Sequence, residues 1–145
     1  MDPIARFQPY ADAFEIFFEK DDPSILEPYF TEDAVYETMG PEALSGRYEG
    51  RPAVLSYFKQ VLDGLDRRFE KRELDLQQGP EERDGKVWMR WRVTYRAGDA
   101  PPLVMDGEET AEFEGDRICR LEDRFADDAG DAVAIWMTEH GAKLS

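Results

Sequence analysis

The sequence predicts an α+β fold: N-terminal helices packed on a strongly curved mixed or antiparallel sheet, forming a cone with a central pocket. Three observations lead there. An aromatic helix end runs straight into a short strand over residues 30–38. A Gly-rich turn and a Pro-started amphipathic helix follow, over residues 46–65. Four β-like segments and a closing helix occupy the rest, so the helices have one face of a sheet to cover.

Phe7, Tyr10, Ala11, Phe14, Phe17 and Phe18 recur at helical spacing and predict a helix over about residues 7–20. Pro9 fits only the first turn of such a helix. Asp21-Asp22-Pro23 ends it, and Asp22 can cap a short second helix reaching Phe30. Residues 34–38 read as a short strand, and the Gly- and Pro-rich stretch from Met39 to Gly50 as a loop or small hairpin. The next helix carries Val54, Leu55, Phe58, Val61, Leu62 and Leu65 on one stripe. Residues 69–78 predict a strand, with a polar connection from Pro80 to Gly85. Residues 86–96 alternate, with Val87, Met89, Trp91, Val93 and Tyr95 on one side and Trp88, Arg90, Arg92, Thr94 and Arg96 on the other. Strands over 103–113 and 117–125 flank the hairpin signal Glu114-Gly115-Asp116. A last helix over about 131–143 has Val133, Trp136, Met137, His140 and Leu144 on one stripe. No internal repeat or long linker divides the chain, so residues 1–145 are expected to form one domain.

The formal net charge is −15, which argues against nucleic-acid or anionic-membrane partners through long-range repulsion. Thirteen Arg stand against five Lys. That balance fits a salt-rich cytoplasm, or a GC-rich genome with an acidic surface favouring solubility. No run of 18 apolar residues is present, and Met-Asp-Pro-Ile-Ala-Arg has neither a basic nor an apolar leader pattern, so a cytoplasmic location is expected. The single cysteine, Cys119, excludes an internal disulfide and alternates with core positions, which predicts a buried, inert thiol. One histidine and one cysteine cannot make a zinc or haem site, and acid pairs such as Asp21-Asp22 lack EF-hand spacing, so no metal is expected. Phosphate-loop, dinucleotide and Gly-x-Ser-x-Gly patterns are missing from the sequence.

Period-two sorting yields the sharpest chemical signal. Glu109 falls on the inner face with Leu103, Met105, Ala111 and Phe113, and Asp123 with Cys119, Leu121 and Phe125. A carboxylate on an apolar face is costly unless paired, hydrogen-bonded or protonated, and burial raises its pKa toward the range of general acid–base work. The bland alternatives are an arginine partner for Glu109 and a frayed, solvated end for Asp123. Tyr36 is a candidate donor, and Trp91 and Tyr95 are candidate aromatic walls. The outer stripe of Trp88, Arg90, Arg92 and Arg96 suits an anion, a dimer contact, or cross-strand pairing with Glu73, Asp75, Glu108 and Glu112. His140 reads as a packing residue.

Residues 29–37 (Tyr-Phe-Thr-Glu-Asp-Ala-Val-Tyr-Glu), 50–58 (Gly-Arg-Pro-Ala-Val-Leu-Ser-Tyr-Phe) and 113–123 together resemble the nuclear-transport-factor-2-like superfamily in its SnoaL-like branch. The resemblance implies a conical fold with a deep apolar pocket, often dimeric through the sheet. It spans ketosteroid isomerases, polyketide cyclases, limonene-epoxide-hydrolase-like enzymes, dehydratases and pocket proteins without assigned activity, so fold alone leaves the chemistry open. Aligned on these signatures, the isomerase's catalytic tyrosine falls on Phe14, its proton-shuttling aspartate on Thr38 and its supporting tyrosine on Phe58. Only its protonated acid has a counterpart, Glu109. Epoxide-hydrolase machinery needs an arginine between two pocket acids, whereas Arg90 and Arg92 have outward parity. A cyclase-like role needs mainly one acid in an apolar cavity, which Asp123 or Glu109 could supply.

The expectation is therefore a pocket protein for a small apolar molecule, with cofactor-free acid–base chemistry such as isomerisation, cyclisation or dehydration. Glu109 and Asp123 would be catalytic, and Tyr36, Trp91, Tyr95, Phe14 and Phe58 would contact the substrate. The alternative is a non-catalytic binder or dimeric scaffold, with a plugged cone and an outer contact around Trp88 and Arg92.

Overall fold

In the computed structural model, which describes residues 3–144, the elements are α1 (Pro3–Lys20), β1 (Phe30–Met39), β2 (Gly46–Glu49), α2 (Arg51–Gly64), β3 (Lys71–Arg83), β4 (Lys86–Arg96), β5 (Leu103–Glu114), β6 (Arg117–Phe125) and α3 (Ala129–His140). Short 3-10 segments join several of them, the longest being Pro23–Tyr29. Met1 and Asp2, which opened the segment read as leaderless, lie outside the described residues. The strands form one sheet in the order β2-β1-β6-β5-β4-β3. β1 runs parallel to β6 and every other pairing is antiparallel, so the sheet is mixed.

α1 and α2 cover one face of the sheet. Phe17, Leu26, Phe30 and Val54 are wholly buried between them and the strands, each contributing roughly 1.5–3 kcal/mol by burial. Asp22 accepts from the Ser24 N–H at 3.1 Å, the cap its sequence position suggested. Gly50 starts α2 with φ +91, a left-handed geometry that favours glycine, while its N–H bonds the Ala34 carbonyl at 2.8 Å. This one residue ties the helix to β1. Apolar side chains segregate into two clusters. One gathers α1, α2 and β1 over Met89, Ala111 and Leu121. The other gathers α3 over Val93, Tyr95, Leu103 and Met105.

Several elements depart from expectation. α1 begins at Pro3, which places Pro9 inside the helix, where it withholds one N–H from the helical ladder. β1 starts four residues before position 34, its pairing with β6 broken between Phe30 and Val35. β3 runs through Pro80 to Arg83 instead of yielding to a loop. It is an edge strand, so a proline there costs no interior ladder bond, and two register shifts between Leu76 and Glu81 absorb it. Cys119 is half-buried rather than buried. A register shift lets Glu112 face Arg120 and Phe113 face Ile118, so Ile118 takes the core position and Cys119 is displaced from the alternation.

The outer sheet face is laced with ion pairs. Arg90 meets Glu108 at 3.2 Å, Arg92 meets Asp106 at 2.7 Å and Arg96 meets Glu73 at 2.9 Å. Trp88 has outward parity yet is buried, because the Arg83 guanidinium lies 3.4 Å from its ring centre.

Candidate functional site

Between the two apolar clusters lies a cavity of about 750 Å³. Its floor is the inward row of β4, Met89, Trp91, Val93 and Tyr95, continued on β5 and β6 by Met105, Glu109, Leu121 and Asp123. Its roof is α1 and α2, through Tyr10, Phe14, Tyr57 and Phe58, and α3 adds Val133. The volume is that of an ordinary small-molecule site.

Glu109 and Asp123 are direct register partners on β5 and β6. Same-face partners across a strand pair bring their side chains together. Here the two carboxyls come close enough to interact through a shared proton, which favours holding one of them protonated. Neither sequence alternative applies: Glu109 has no arginine, and Asp123 does not fray into solvent. Both keep some surface toward the cavity but sit deep in the protein. Burial pushes the Glu109 carboxyl well above the usual carboxylate range, and the neighbouring Asp123 pushes it further. Burial raises Asp123 too, opposed by the hydrogen bond from Tyr36 and, more weakly, by the neighbouring Glu109 carboxyl and Trp91 indole. Asp123, which accepts from Tyr36, is the member better able to carry charge, so the shared proton favours Glu109. The two titrate as one unit.

Tyr36 projects from β1, beside β6, and its hydroxyl donates to Asp123 Oδ2 at 2.5 Å. The expected donor to a bound molecule is thus engaged by the acid itself. Burial, then Asp123, drives the Tyr36 phenol well above its ordinary value, so it remains a donor. Thr38, two residues on, is Asp123's register partner on β1 and is buried. Trp91 lies against Gly107, its β5 partner, and against Phe125 at 5.6 Å between ring centres. Trp91 and Asp123 line the same cavity. Phe14 and Phe58 meet edge-on at 5.8 Å and Phe58 meets Tyr36 at 4.9 Å, forming an aromatic end wall. All seven residues singled out from the sequence line this cavity.

Tyr95, expected as a wall, also bonds a second polar group that sequence reasoning missed. Its hydroxyl donates to Asp66 Oδ2 at 3.1 Å, and Arg72 Nε donates to the same oxygen at 2.9 Å. Asp66 is only 5% exposed. It lies in the turn after α2, where no periodicity marks a residue as inward. Tyr10, Tyr48 and Tyr57 were missed as well. Tyr48 and Tyr57 stack at 3.8 Å beside Tyr36, and the tyrosine spacing on β2 and α2 carried that signal weakly. Arg90 and Arg92 remain outside the cavity. Among the described residues no cluster of three His, Cys, Asp or Glu side chains is arranged to hold a metal ion.

Residues 10–123 match the family model described as a SnoaL-like domain. No curated protein matches the chain. Solved structures of similar fold include Bal32a from a soil-derived mobile gene cassette, at 22% identity and TM-score 0.61, covering 84% of this chain and 92% of that one. A candidate isomerase from Bacillus subtilis aligns at 16% identity and TM-score 0.66, covering 92% and 96%. TerC, co-crystallised with polyporic acid, aligns at 15% identity and TM-score 0.60, covering 86% and 96%. At these identities the likeness concerns the fold.

Proposed function

The chain belongs to the SnoaL-like domain family, and from that membership and its cavity we propose that it acts on a small, largely apolar molecule by cofactor-free acid–base chemistry. Isomerisation, cyclisation and dehydration are the reactions in view. The observation that carries the reading is the Glu109–Asp123 pair, one proton shared by two carboxyls on an apolar wall.

In a dehydration, Glu109 gives its proton to the departing hydroxyl as the C–O bond breaks, and water leaves. Asp123 takes the proton released from the adjacent carbon as the double bond forms. That proton then passes along the Glu109–Asp123 hydrogen bond, restoring the starting state. An isomerisation uses the same pair without loss of water. Tyr36 holds the Asp123 carboxylate in place, and the upward shift of the Glu109 pKa favours its role as the acid. A ketosteroid-isomerase assignment is not proposed, because Phe14 and Phe58 lack the hydroxyls that activity would use and Thr38 lacks the base.

The scaffold alternative expected a plugged cone and an outer-face contact around Trp88 and Arg92. The cavity and the Arg83 cover argue for the pocket reading instead. A homodimer through the sheet stays part of the proposal, as does a cytoplasmic location without nucleic-acid or membrane partners. No helix among the described residues is long and apolar enough to cross a membrane.

The test is incubation in deuterated water with a small-molecule extract, read by mass spectrometry. The proposal expects deuterium uptake or a mass change in at least one compound with the native protein. Glu109→Gln and Asp123→Asn should each suppress it at least tenfold. Unchanged conversion in both variants removes the catalytic assignment. Retention of a compound without chemical change supports a binder.

A further inference from the structure

The cavity has a second polar pole, well separated from the acid pair. Glu109 is level with Met89 on β4, and Tyr95 lies six positions further along the same strand. At about 3.3 Å per residue this is roughly 20 Å of strand. The intervening inward residues, Trp91 and Val93, are apolar apart from one indole N–H. At the far pole, Asp66 Oδ2 accepts from Tyr95 and Arg72, while Arg72 Nη1 donates to Glu15 on α1 at 3.3 Å. The Arg72 side chain is only 10% exposed, and its guanidinium lies 5.2 Å from the Phe18 ring centre.

Three features make this cluster a reader of ligand oxygen rather than a bare structural ion pair. Asp66 Oδ1 has no hydrogen-bond partner among the described residues, so its side-chain bonds from Arg72 and Tyr95 fall on Oδ2 alone. The bonds to Asp66 and Glu15 use at most three of the guanidinium's five N–H donors. The Tyr95 hydroxyl spends its proton on Asp66, which leaves its oxygen able to accept. Asp66, Arg72 and Tyr95 all line the cavity. The pole thus offers a donor and an acceptor in one place, suited to a hydroxyl or carbonyl. Two flanking carboxylates, Asp66 and Glu15, oppose an anion.

We propose that Asp66, Arg72 and Tyr95 form a second binding subsite, and that the ligand is an elongated, uncharged, mainly apolar molecule with an oxygen function at each end. One end is placed at Glu109 and the other at Arg72 and Tyr95. This rests on the acid–base reading for the first end only.

Stilbene serves as the probe, carrying a para hydroxyl on both rings, on one ring or on neither, with binding read by Trp fluorescence and calorimetry. The native protein should bind the diol about three- to tenfold more tightly than the mono-ol, the increment expected of one neutral hydrogen bond. Tyr95→Phe should abolish that advantage, with circular dichroism and the melting curve reporting that the variant is folded. Arg72→Lys should reduce the advantage without removing it. Replacing one hydroxyl by a carboxylate should weaken binding below that of the mono-ol. Equal affinity for diol and mono-ol, or an advantage surviving Tyr95→Phe, overturns the subsite. Tighter binding of the carboxylate overturns it in favour of an anion site. If the mono-ol responds to Glu109→Gln while the diol gains nothing, the subsite fails and the acid–base reading stands. Failure of all three stilbenes to bind overturns the elongated-ligand proposal and leaves the acid–base reading to its deuterium-exchange test.

Discussion

Trp91 and Gly107 are register partners on β4 and β5, and the indole occupies the space a side chain at position 107 would need. A Cβ there would overlap Trp91 Cζ2 and lie 2.8 Å from the Arg124 carbonyl oxygen. One contact is with a ring wedged between strands and the other with backbone, so neither yields cheaply. The glycine therefore sets the position of the indole beside Asp123. Gly107→Ala should destabilise the fold by about 1–3 kcal/mol, as overpacking does. It should also shift the emission of Trp91, measured against a Trp91→Phe control. An unaltered melting temperature and spectrum would show that the ring moves freely.

Tyr36 and Asp123 supply the second prediction. Their hydrogen bond joins a neutral donor to a buried carboxylate, a class worth about 1.5–3 kcal/mol. Tyr36→Phe should cost stability of that order at neutral pH. It should also raise the Asp123 pKa, because the bond favours the ionised form. Chemical denaturation at two pH values separates the effects. A loss that stays constant as Asp123 protonates argues against the bond's role in holding the charge.

Glu109 carries a pH signature with a definite sign. Its pKa in the fold lies well above the unfolded value, so the folded state binds the proton more tightly. The stabilisation is complete below the unfolded pKa of about 4.3 and is lost as pH rises toward the folded value. Within that window a single proton changes stability by about 1.4 kcal/mol per pH unit. The stability of the native protein relative to Glu109→Gln should therefore fall with rising pH. Parallel stability curves for the two proteins from pH 5 to 8 would remove the shifted carboxyl from the account.

Arg83 covers Trp88 on the outer sheet face. Arg83→Ala should expose the indole, red-shift its emission and cost at most about 1 kcal/mol, the scale of a partly exposed cation–π contact. If copies of the chain associate through this face, the same change should alter the sedimentation coefficient. The ion pairs of Arg90, Arg92 and Arg96 would make that association sensitive to salt.

The legible and illegible parts of this molecule divide by periodicity. Alternation along β5 and β6 was enough to put Glu109 and Asp123 on one inner face, because a strand's period is fixed by its backbone. Helical spacing did the same for Phe14 and Phe58. The register that sets the two acids directly opposite each other was not available, since it depends on where the hairpin closes and where β6 bulges. That bulge also moved Cys119 out of the core. Asp66 was hidden for another reason: it sits in a turn, and its partners come from β3 and β4. Pro80 misled because a proline is a breaker in a central strand and tolerated in an edge strand, and strand order is not written in the local sequence.

The proposed chemistry needs a carboxyl in the cavity that keeps its proton at neutral pH. Infrared difference spectroscopy of the native protein against Glu109→Gln at pH 7 reads that proton. A protonated-carboxyl C=O band should appear in the native protein, shift in deuterated water and vanish in the variant. Carboxylate bands alone, with no protonated band lost on substitution, would contradict that chemistry.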